Sequence, residues 1–210
     1  MILVPRLYAI VDAAFFSTTE DLAAFAERLI RSGCPVLQYR NKLGNARMML
    51  EQARELRRCS RAMVPAPHVP KLIMNDRADL CLIAEFDGVH VGQDDLSPES
   101  VRSIIGPERW LGVSTHNPEQ LREADLTSAD YLAVGPVFST LSKERPDPVV
   151  GLEGVRRTRQ LTRKPLVAIG GITRANAASV IEAGADSVAV ISDLLRDPRK
   201  SAEEFFRVLR

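Results

Sequence analysis

A chain of 210 residues is long enough for one domain with a substantial buried core. Hydrophobic residues make up 45% of it and charged residues 26%, and the net charge is +1, so the composition excludes a disordered chain and gives no sign of a nucleic-acid or membrane-surface partner. The apolar runs are far shorter than the roughly 20 residues that span a membrane, and we expect no secretory signal. The cysteines Cys34, Cys59 and Cys81 lack Cys-x-x-Cys spacing, so reduced thiols in a cytoplasmic protein are expected.

Short apolar segments alternate with longer amphipathic segments along the chain. The predicted strands are residues 7–11, 36–39, 72–74, 88–91, 111–113, 131–134, 166–169 and 187–191. They lack polar alternation, which is typical of parallel strands buried on both faces. Between the first two strands, Thr19–Arg31 places Leu22, Phe25 and Leu29 on one face of a predicted helix.

Capping residues indicate where several of the helices begin and end. Thr19, Asn117 and Thr173 are predicted helix starts, and Gly33 and Gly184 are predicted helix ends.

Repeated strand–helix units predict the fold class. Eight such units within one chain of this length favour a single (β/α)8 TIM barrel that forms one domain over residues 1–210. An open, doubly wound sheet is the structural alternative.

Active-site groups of a TIM barrel lie at the carboxyl ends of its strands, and polar residues recur at those positions here. The second strand ends in Gln38, Arg40 and Lys42, which strand alternation points to one side. An amide followed by two cations can hold phosphate oxygens, although a solvated charged loop has the same composition.

Acidic residues follow the third and fourth predicted strands. Asn75 and Asp76 end the third, and Asp94 and Asp95 follow the fourth. Carboxylates at the ends of adjacent strands can share Mg²⁺, which prefers oxygen ligands and keeps waters and substrate phosphates in its shell. The alternative is local, since Asp76 could cap a helix near Arg77 and Asp94 or Asp95 could cap a turn.

The fifth strand and the loop after the sixth carry further polar groups. Ser114 can donate to a phosphate, and His116 could transfer a proton or only line the site. The loop 139–149 carries hydroxyls and Lys143, which suits a flap that closes over an anion; a flexible surface loop is the alternative.

The last two strands end in a pattern that predicts a phosphate site. Gly170 and Gly171 follow the seventh strand, and Ile191 and Ser192 end the eighth. A pair of glycines alone indicates a turn, but this position in the fold recurrently binds phosphate through backbone N–H groups. The mouth therefore has two predicted anion sites, which suit two phosphorylated ligands, one of them a diphosphate.

Taken in order, these motifs resemble those of the thiamine phosphate synthase (thiamine-phosphate pyrophosphorylase) family over nearly the whole chain. The matching stretches are 38–42, 75–77, 87–95, 112–116, 130–131, 135–138, 140–143, 168–172, 184–186 and 189–192. Each stretch is weak alone, and their combination is highly specific. Ser142 stands where the family more often has threonine, and the hydroxyl is retained.

The resemblance implies a transferase of thiamine biosynthesis that uses Mg²⁺ and small phosphorylated substrates and that could form a homo-oligomer. Members join 4-amino-5-hydroxymethyl-2-methylpyrimidine diphosphate to thiazole phosphate by a dissociative substitution, giving thiamine phosphate and pyrophosphate. The residues implied to bind the pyrimidine diphosphate are Gln38, Arg40, Lys42, Asn75, Ser114 and Lys143. Those implied to bind the thiazole phosphate are Thr140, Ser142, Gly171, Ile191 and Ser192. The implied magnesium ligands are Asp76 and Asp95, and the implied catalytic residues are Arg40, Lys42, Ser114 and Lys143.

Three other functions suit parts of the same pattern. A thiazole tautomerase-like isomerase would share the barrel but has no diphosphate to activate, so it should lack the paired aspartates and much of the cationic cluster. A barrel that binds thiamine precursors without catalysis would keep the binding residues. Another phosphate-binding barrel enzyme, such as an epimerase, would share only the phosphate site after the last strands.

Overall fold

Eight parallel strands form one closed barrel in chain order, with the last strand pairing with the first. The computed structural model describes residues 2–65, 69–140 and 148–210. The strands are β1 (Leu7–Asp12), β2 (Val36–Arg40), β3 (Lys71–Asn75), β4 (Gly88–Val91), β5 (Trp110–Thr115), β6 (Tyr131–Val134), β7 (Leu166–Ile169) and β8 (Ser187–Val190). The predicted (β/α)8 TIM barrel is confirmed, and the open sheet is wrong because Leu7 of β1 is in register with Val188 of β8.

Helices follow the strands and form the outer layer of the barrel. They are α1 (Thr19–Arg31), α2 (Ala46–Met63), α3 (Ala78–Ile83), α4 (Pro98–Ile105), α5 (Pro118–Asp125), α6 (Gly151–Leu161), α7 (Ala177–Glu182) and α8 (Pro198–Val208). Short 3₁₀ segments follow β1 (Ala13–Phe15) and β8 (Ser192–Leu194). Within the described ranges, none of the helices has both the length and the apolar character needed to cross a membrane.

The predicted helix boundaries are confirmed at both ends of the first helix, at the start of the fifth and at the end of the seventh. Asn117 caps α5, and Gly33 and Gly184 end their helices with left-handed φ angles of 83° and 110°. The first helix begins at Thr19 as predicted, and Thr18 is its N-cap residue. Thr18 has extended backbone, and its hydroxyl accepts a first-turn N–H at 3.1 Å.

The predicted start of the seventh helix at Thr173 was wrong. Asn176 holds the preceding residues in a turn: its Oδ1 accepts the Thr173 N–H at 2.8 Å, and its Nδ2 donates to the Gly171 carbonyl at 3.1 Å. The helix begins only at Ala177, and Asn176 is its N-cap residue. The turn ties the start of α7 to the end of β7, where the phosphate site is predicted.

Two layers of buried side chains hold the barrel together. The larger layer lies between strands and helices, and the smaller one fills the barrel interior, with Tyr8, Ile10, Val36, Ile73 and Tyr131 among its members. Because side chains alternate along a strand, the inward positions next to the mouth are the polar residues at the strand ends.

Three aspartate–arginine pairs fix the opposite rim, where the strands begin. The pairs are Asp87 with Arg57, Asp130 with Arg102, and Asp186 with Arg159. Each aspartate directly precedes an even-numbered strand and accepts a backbone N–H from the beginning of the strand before it, at 2.8–2.9 Å. Each arginine comes from the helix that leads into that preceding strand. The same device therefore recurs at every second strand from β4 to β8.

Asp87→Asn should lower the free energy of unfolding by about 1–3 kcal/mol at neutral pH, because a partly buried charge-assisted pair with Arg57 is lost. Burial alone would raise the pKa of Asp87, but the Leu72 N–H and the Arg57 guanidinium outweigh it and hold the pKa below its ordinary value. The stabilisation is therefore present above the unfolded pKa, near 4, and is lost as the pH falls through the lower folded value.

Urea unfolding of both proteins between pH 7 and pH 3 measures this difference. The gap between wild type and Asp87→Asn should close in acid, and a gap that stays constant would contradict the linkage. Glu119→Gln, which removes an exposed helix-surface pair with Arg122, is the control and should change little at any pH.

Candidate active site

A cavity of about 570 Å³ opens at the carboxyl ends of the strands. Its volume is typical of small-molecule sites. The predicted site residues that line it are Gln38, Arg40, Lys42, Asn75, Asp76, Asp95, Ser114, Thr140, Gly171, Ile191 and Ser192. Ser142 and Lys143, and with them most of the predicted flap, lie outside the described residues. The structure thus brings together every predicted site residue that it describes, while their individual roles stay predictions.

Arg40 is anchored by a carboxylate that the sequence analysis missed. Asp12 ends β1 in register with Arg40 on β2, and the two side chains form an ion pair. Asp12 is only 2% exposed and also accepts the Ala14 N–H at 3.1 Å. The available signal was its position, since Asp12 is the polar residue at the end of the first strand. The guanidinium is therefore fixed beside the cavity before any ligand binds.

Lys42, Asp76 and Asp95 form a compact charged group on the neighbouring part of the rim. The Lys42 ammonium pairs with the Asp76 carboxylate. Burial raises the pKa of Asp76 above its ordinary value; the Lys42 ammonium opposes this shift, and the nearby Asp95 carboxylate adds to it. Two carboxylates held close to each other favour a cation between them.

The local alternatives for these aspartates have different outcomes. Asp76 does not cap the third helix, because α3 begins at Ala78 and its N-cap residue, Arg77, makes no side-chain capping bond. Asp95 does serve a turn, since its carboxylate accepts the Gly92 N–H at 2.8 Å. That bond uses one oxygen atom, so Asp95 keeps a second oxygen that can bind another group.

The donors on this rim suit Mg²⁺ better than a softer metal. Among the described residues there is no group of three or more His, Cys, Asp or Glu side chains that could hold a metal ion. Asp76 and Asp95 instead offer two carboxylates beside a cavity. This set fits Mg²⁺, which is usually bound by one or two carboxylates together with waters and substrate phosphates.

Asn75 presents an unused donor to the same cavity. Its Nδ2 atom is buried and has no hydrogen-bond partner in the part of the chain that the structure describes. An unpaired buried donor is costly, and such a group in a cavity wall is satisfied when a ligand supplies an acceptor. The position of Asn75 at the end of β3, next to Asp76, suits an oxygen of an anionic ligand.

A chain of hydrogen bonds runs through the interior of the barrel between two predicted ligand-binding residues. Gln38 Nε2 donates to the Tyr8 hydroxyl at 3.2 Å, and Tyr8 and Tyr131 share a hydrogen bond of 2.9 Å. The Tyr131 hydroxyl lies 3.1 Å from His90 Nδ1, and His90 Nε2 lies 2.8 Å from Ser114 Oγ. The two tyrosines and the histidine were not predicted as site residues, because they belong to apolar strands.

The end of β5 is held by further contacts around Ser114. Gln93 Nε2 donates to the Ser114 carbonyl at 2.6 Å, and His116 Nδ1 donates to the Gly135 carbonyl at 2.6 Å. Gln120 Oε1 accepts the His116 N–H at 2.8 Å. His116 lines the cavity in a fixed orientation.

The predicted phosphate nest lies on the opposite side of the mouth. Gly170 and Gly171 have left-handed φ angles of 103° and 62°, which expose the backbone of the turn after β7. Arg174 joins this turn to the segment after β8: its Nε donates to Asp193 at 2.9 Å, and its Nη1 pairs with Glu204. The backbone around the nest is therefore cross-linked by charge-assisted bonds.

Comparison with known proteins agrees with this geometry. Residues 7–194 match the family described as Thiamine monophosphate synthase. The thiamine-phosphate synthase of Koribacter versatilis is 59% identical over 208 residues, which cover 98% of this chain and 96% of that protein. That of Chloroflexus aurantiacus is 46% identical over 188 residues, 89% of this chain and 83% of that protein. The solved structure of thiamine phosphate pyrophosphorylase from Pyrococcus furiosus superimposes with a TM-score of 0.83 at 32% identity, covering 97% of this chain and 95% of that one.

Gly171→Ala should disrupt the nest, because a Cβ there would lie 2.5 Å from the Ser139 carbonyl oxygen and 2.8 Å from Phe138 Cβ. Gly33→Ala is a matched control: it has a similar left-handed φ of +83° but nothing within 4 Å of the added Cβ. Both substitutions should cost about 1–2 kcal/mol of stability for the φ angle alone.

Calorimetric titration with thiazole phosphate separates the two effects. Binding should weaken strongly in Gly171→Ala and stay at the wild-type level in Gly33→Ala. Equal affinities in both variants would show that the turn after β7 does not hold the phosphate.

Proposed function

We propose, because the chain belongs to the thiamine monophosphate synthase family of transferases, that it joins the pyrimidine diphosphate to thiazole phosphate and releases pyrophosphate. The observation that carries the proposal is one cavity in which Arg40 and Lys42 lie beside the carboxylates of Asp76 and Asp95. Cations next to paired carboxylates suit a metal-bound diphosphate, and the Gly171 turn across the mouth suits a monophosphate.

The first step is departure of the diphosphate. The bond between the pyrimidine methylene carbon and the diphosphate oxygen breaks, and both electrons leave with the oxygen. Arg40 and Lys42 stabilise the negative charge that develops on the leaving group. Asn75 and Ser114 add neutral donors, and Lys143, outside the described residues, is a further cation proposed for the same group.

The second step forms the new bond. The thiazole nitrogen donates its lone pair to the methylene carbon, giving thiamine phosphate, so no nucleophile from the protein is required. Gly171 and Ser192 hold the distant phosphate of the thiazole, and Thr140, Ser142 and Ile191 complete that subsite. Because the thiazole is held at a fixed place, its nitrogen can reach the methylene carbon, which is cationic after the diphosphate leaves, before water does.

Mg²⁺ is the proposed cofactor, and Asp76 and Asp95 would hold it. When bound, it would neutralise charge on the diphosphate oxygens. Lys42 pairs with Asp76 in the ligand-free protein and would become available to the diphosphate once the carboxylate has another cation. The pair therefore keeps both groups neutralised while no ligand is present.

Purified protein mixed with both substrates and Mg²⁺ tests the function directly. Thiamine phosphate and pyrophosphate should appear in equal amounts, and only when all three components are present. Conversion of a thiazole substrate without pyrophosphate release would favour the tautomerase-like isomerase. Binding of both substrates without any product would favour the non-catalytic barrel.

Asp76→Asn should reduce the rate of thiamine phosphate formation by roughly 100-fold, the scale of losing one electrostatic group in an active site. Asparagine keeps the volume and tolerates the left-handed φ of 63° at this position, so the change removes the charge with little backbone strain.

The Mg²⁺ concentration that gives half-maximal rate should also rise in Asp76→Asn. Asp79→Asn is the control, because Asp79 is an exposed carboxylate three residues away that pairs with Arg77. Near-normal kinetics in Asp76→Asn would exclude the assigned role, as would an equal loss in Asp79→Asn.

A further inference from the structure

A series of hydrogen bonds inside the barrel connects two proposed ligand-binding residues, and we call this series the hydrogen-bond relay. Its middle is deeply buried. Tyr131 is 0% exposed, Tyr8 2% and His90 9%. Gln38 on β2 is the first residue of the relay, and Ser114 on β5 is the last. Hydroxyl and imidazole groups in such a place are stable only when each proton has an acceptor.

In the first half of the relay, the donor and the acceptor of each hydrogen bond are defined. The Gln38 amide nitrogen is a donor only, so the Tyr8 oxygen accepts from it. Burial raises the pKa of Tyr8 and Tyr131 well above the ordinary value, so each phenol keeps its single proton. The Tyr8 proton then goes to the Tyr131 oxygen, the other group that shares a hydrogen bond with it.

The donors and acceptors in the second half of the relay follow from those in the first. Since Tyr131 accepts from Tyr8, its own proton is directed to His90 Nδ1. A neutral imidazole that accepts at Nδ1 carries its proton on Nε2, which donates to Ser114 Oγ. The Ser114 hydroxyl proton is then left to point into the cavity.

The residue opposite this network is a glycine for a steric reason. Gly112 on β5 is in register with His90 on β4 and with Tyr131 on β6. A Cβ at Gly112 would lie 2.4 Å from the Tyr131 hydroxyl oxygen and 2.5 Å from His90 Nδ1. Glycine at this position leaves room for the hydrogen bond between these two groups.

We propose that Tyr8 and Tyr131 are positioning residues: together with Gln38 they fix the Nε2–H tautomer of His90, which turns the Ser114 hydroxyl proton towards the diphosphate. The proposal rests on the proposed function for the identity of the ligand. The direction of the hydrogen bonds in the relay does not depend on that function. Because Ser114 accepts one hydrogen bond while it donates another, it is a stronger donor than an isolated serine. Tyr8 and Tyr131 act without touching the ligand.

Nitrogen-15 NMR of the ligand-free protein tests the direction of the hydrogen bonds in the relay without any substrate. The signals of His90 are assigned by their loss in His90→Asn. Nε2 should be protonated in the wild type, and in Tyr131→Phe the Nδ1 signal should move towards that of a nitrogen that accepts no hydrogen bond. A proton on Nδ1 in the wild type, or an Nδ1 signal that does not respond to Tyr131→Phe, would overturn the proposal.

A double-mutant cycle tests the effect on Ser114, with calorimetric binding of inorganic pyrophosphate and Mg²⁺ as the probe. Tyr131→Phe should weaken binding by roughly threefold to tenfold, the scale of one hydrogen bond, and Ser114→Ala by at least as much. In the Ser114→Ala background, Tyr131→Phe should have no further effect, because the relay acts through Ser114. Additive losses would overturn the proposal.

Tyr39→Phe is the matched control for loss of a buried phenol. Tyr39 is 1% exposed and donates to Gln52 at 2.5 Å, away from the relay. It should leave the His90 signals and pyrophosphate affinity unchanged, and an equal loss of affinity would mean general loosening and would overturn the proposal.

The two measurements also separate this proposal from the proposed function. Wild-type protein that does not bind pyrophosphate would contradict the proposed function, while the His90 signals would still decide the relay. Normal product formation together with Nδ1–H at His90 would leave the function intact and exclude the relay.

Discussion

Closure of the barrel is the constraint on which the site depends. Each strand bonds to a parallel neighbour on both sides, so all eight strands point the same way and end at one rim. Side chains alternate, and the last inward residues of the strands must therefore meet there. Arg40, Asn75 and Ser114 come from three strands far apart in sequence, yet they line one cavity because all strands end at the same rim.

The two rims treat their charges in different ways. At the rim where the strands begin, the Asp87 carboxylate accepts a backbone N–H and pairs with the Arg57 guanidinium. Asp130 and Asp186 repeat this arrangement. At the mouth, Asn75 Nδ2 has no hydrogen-bond partner among the described residues, and Asp76 is desolvated beside another carboxylate. The first arrangement stabilises the fold, and the second lowers stability in the ligand-free protein in favour of binding. This division is the one expected when catalysis is confined to one face of a barrel.

The sequence was sufficient for the fold, the strand ends and the gathering of most site residues, because periodicity and strand alternation are local properties. It was insufficient where the decisive contact is between distant strands. Tyr8 and Tyr131 look like ordinary apolar strand residues, and only barrel closure brings their hydroxyls within 2.9 Å. Asp12 directly follows the predicted first strand, and only the register of β1 against β2 places it beside Arg40. The start at Thr173 was misjudged because Asn176 is the N-cap residue of α7, and the turn that its side chain holds is not visible in the sequence.

The interior of a small barrel is normally filled by branched apolar side chains, and Ile10, Val36 and Ile73 fill it that way here. Replacing such residues by phenols and an imidazole gains little stability, since each polar group must recover the hydration it loses. What a fully paired chain does provide is a fixed orientation of every proton along it. Ser114 is where that chain reaches the cavity, beside Arg40, whose position the buried Asp12 carboxylate fixes. Both groups are thus oriented from inside the barrel, and in the proposed function the diphosphate would meet donors that need little rearrangement to bind it.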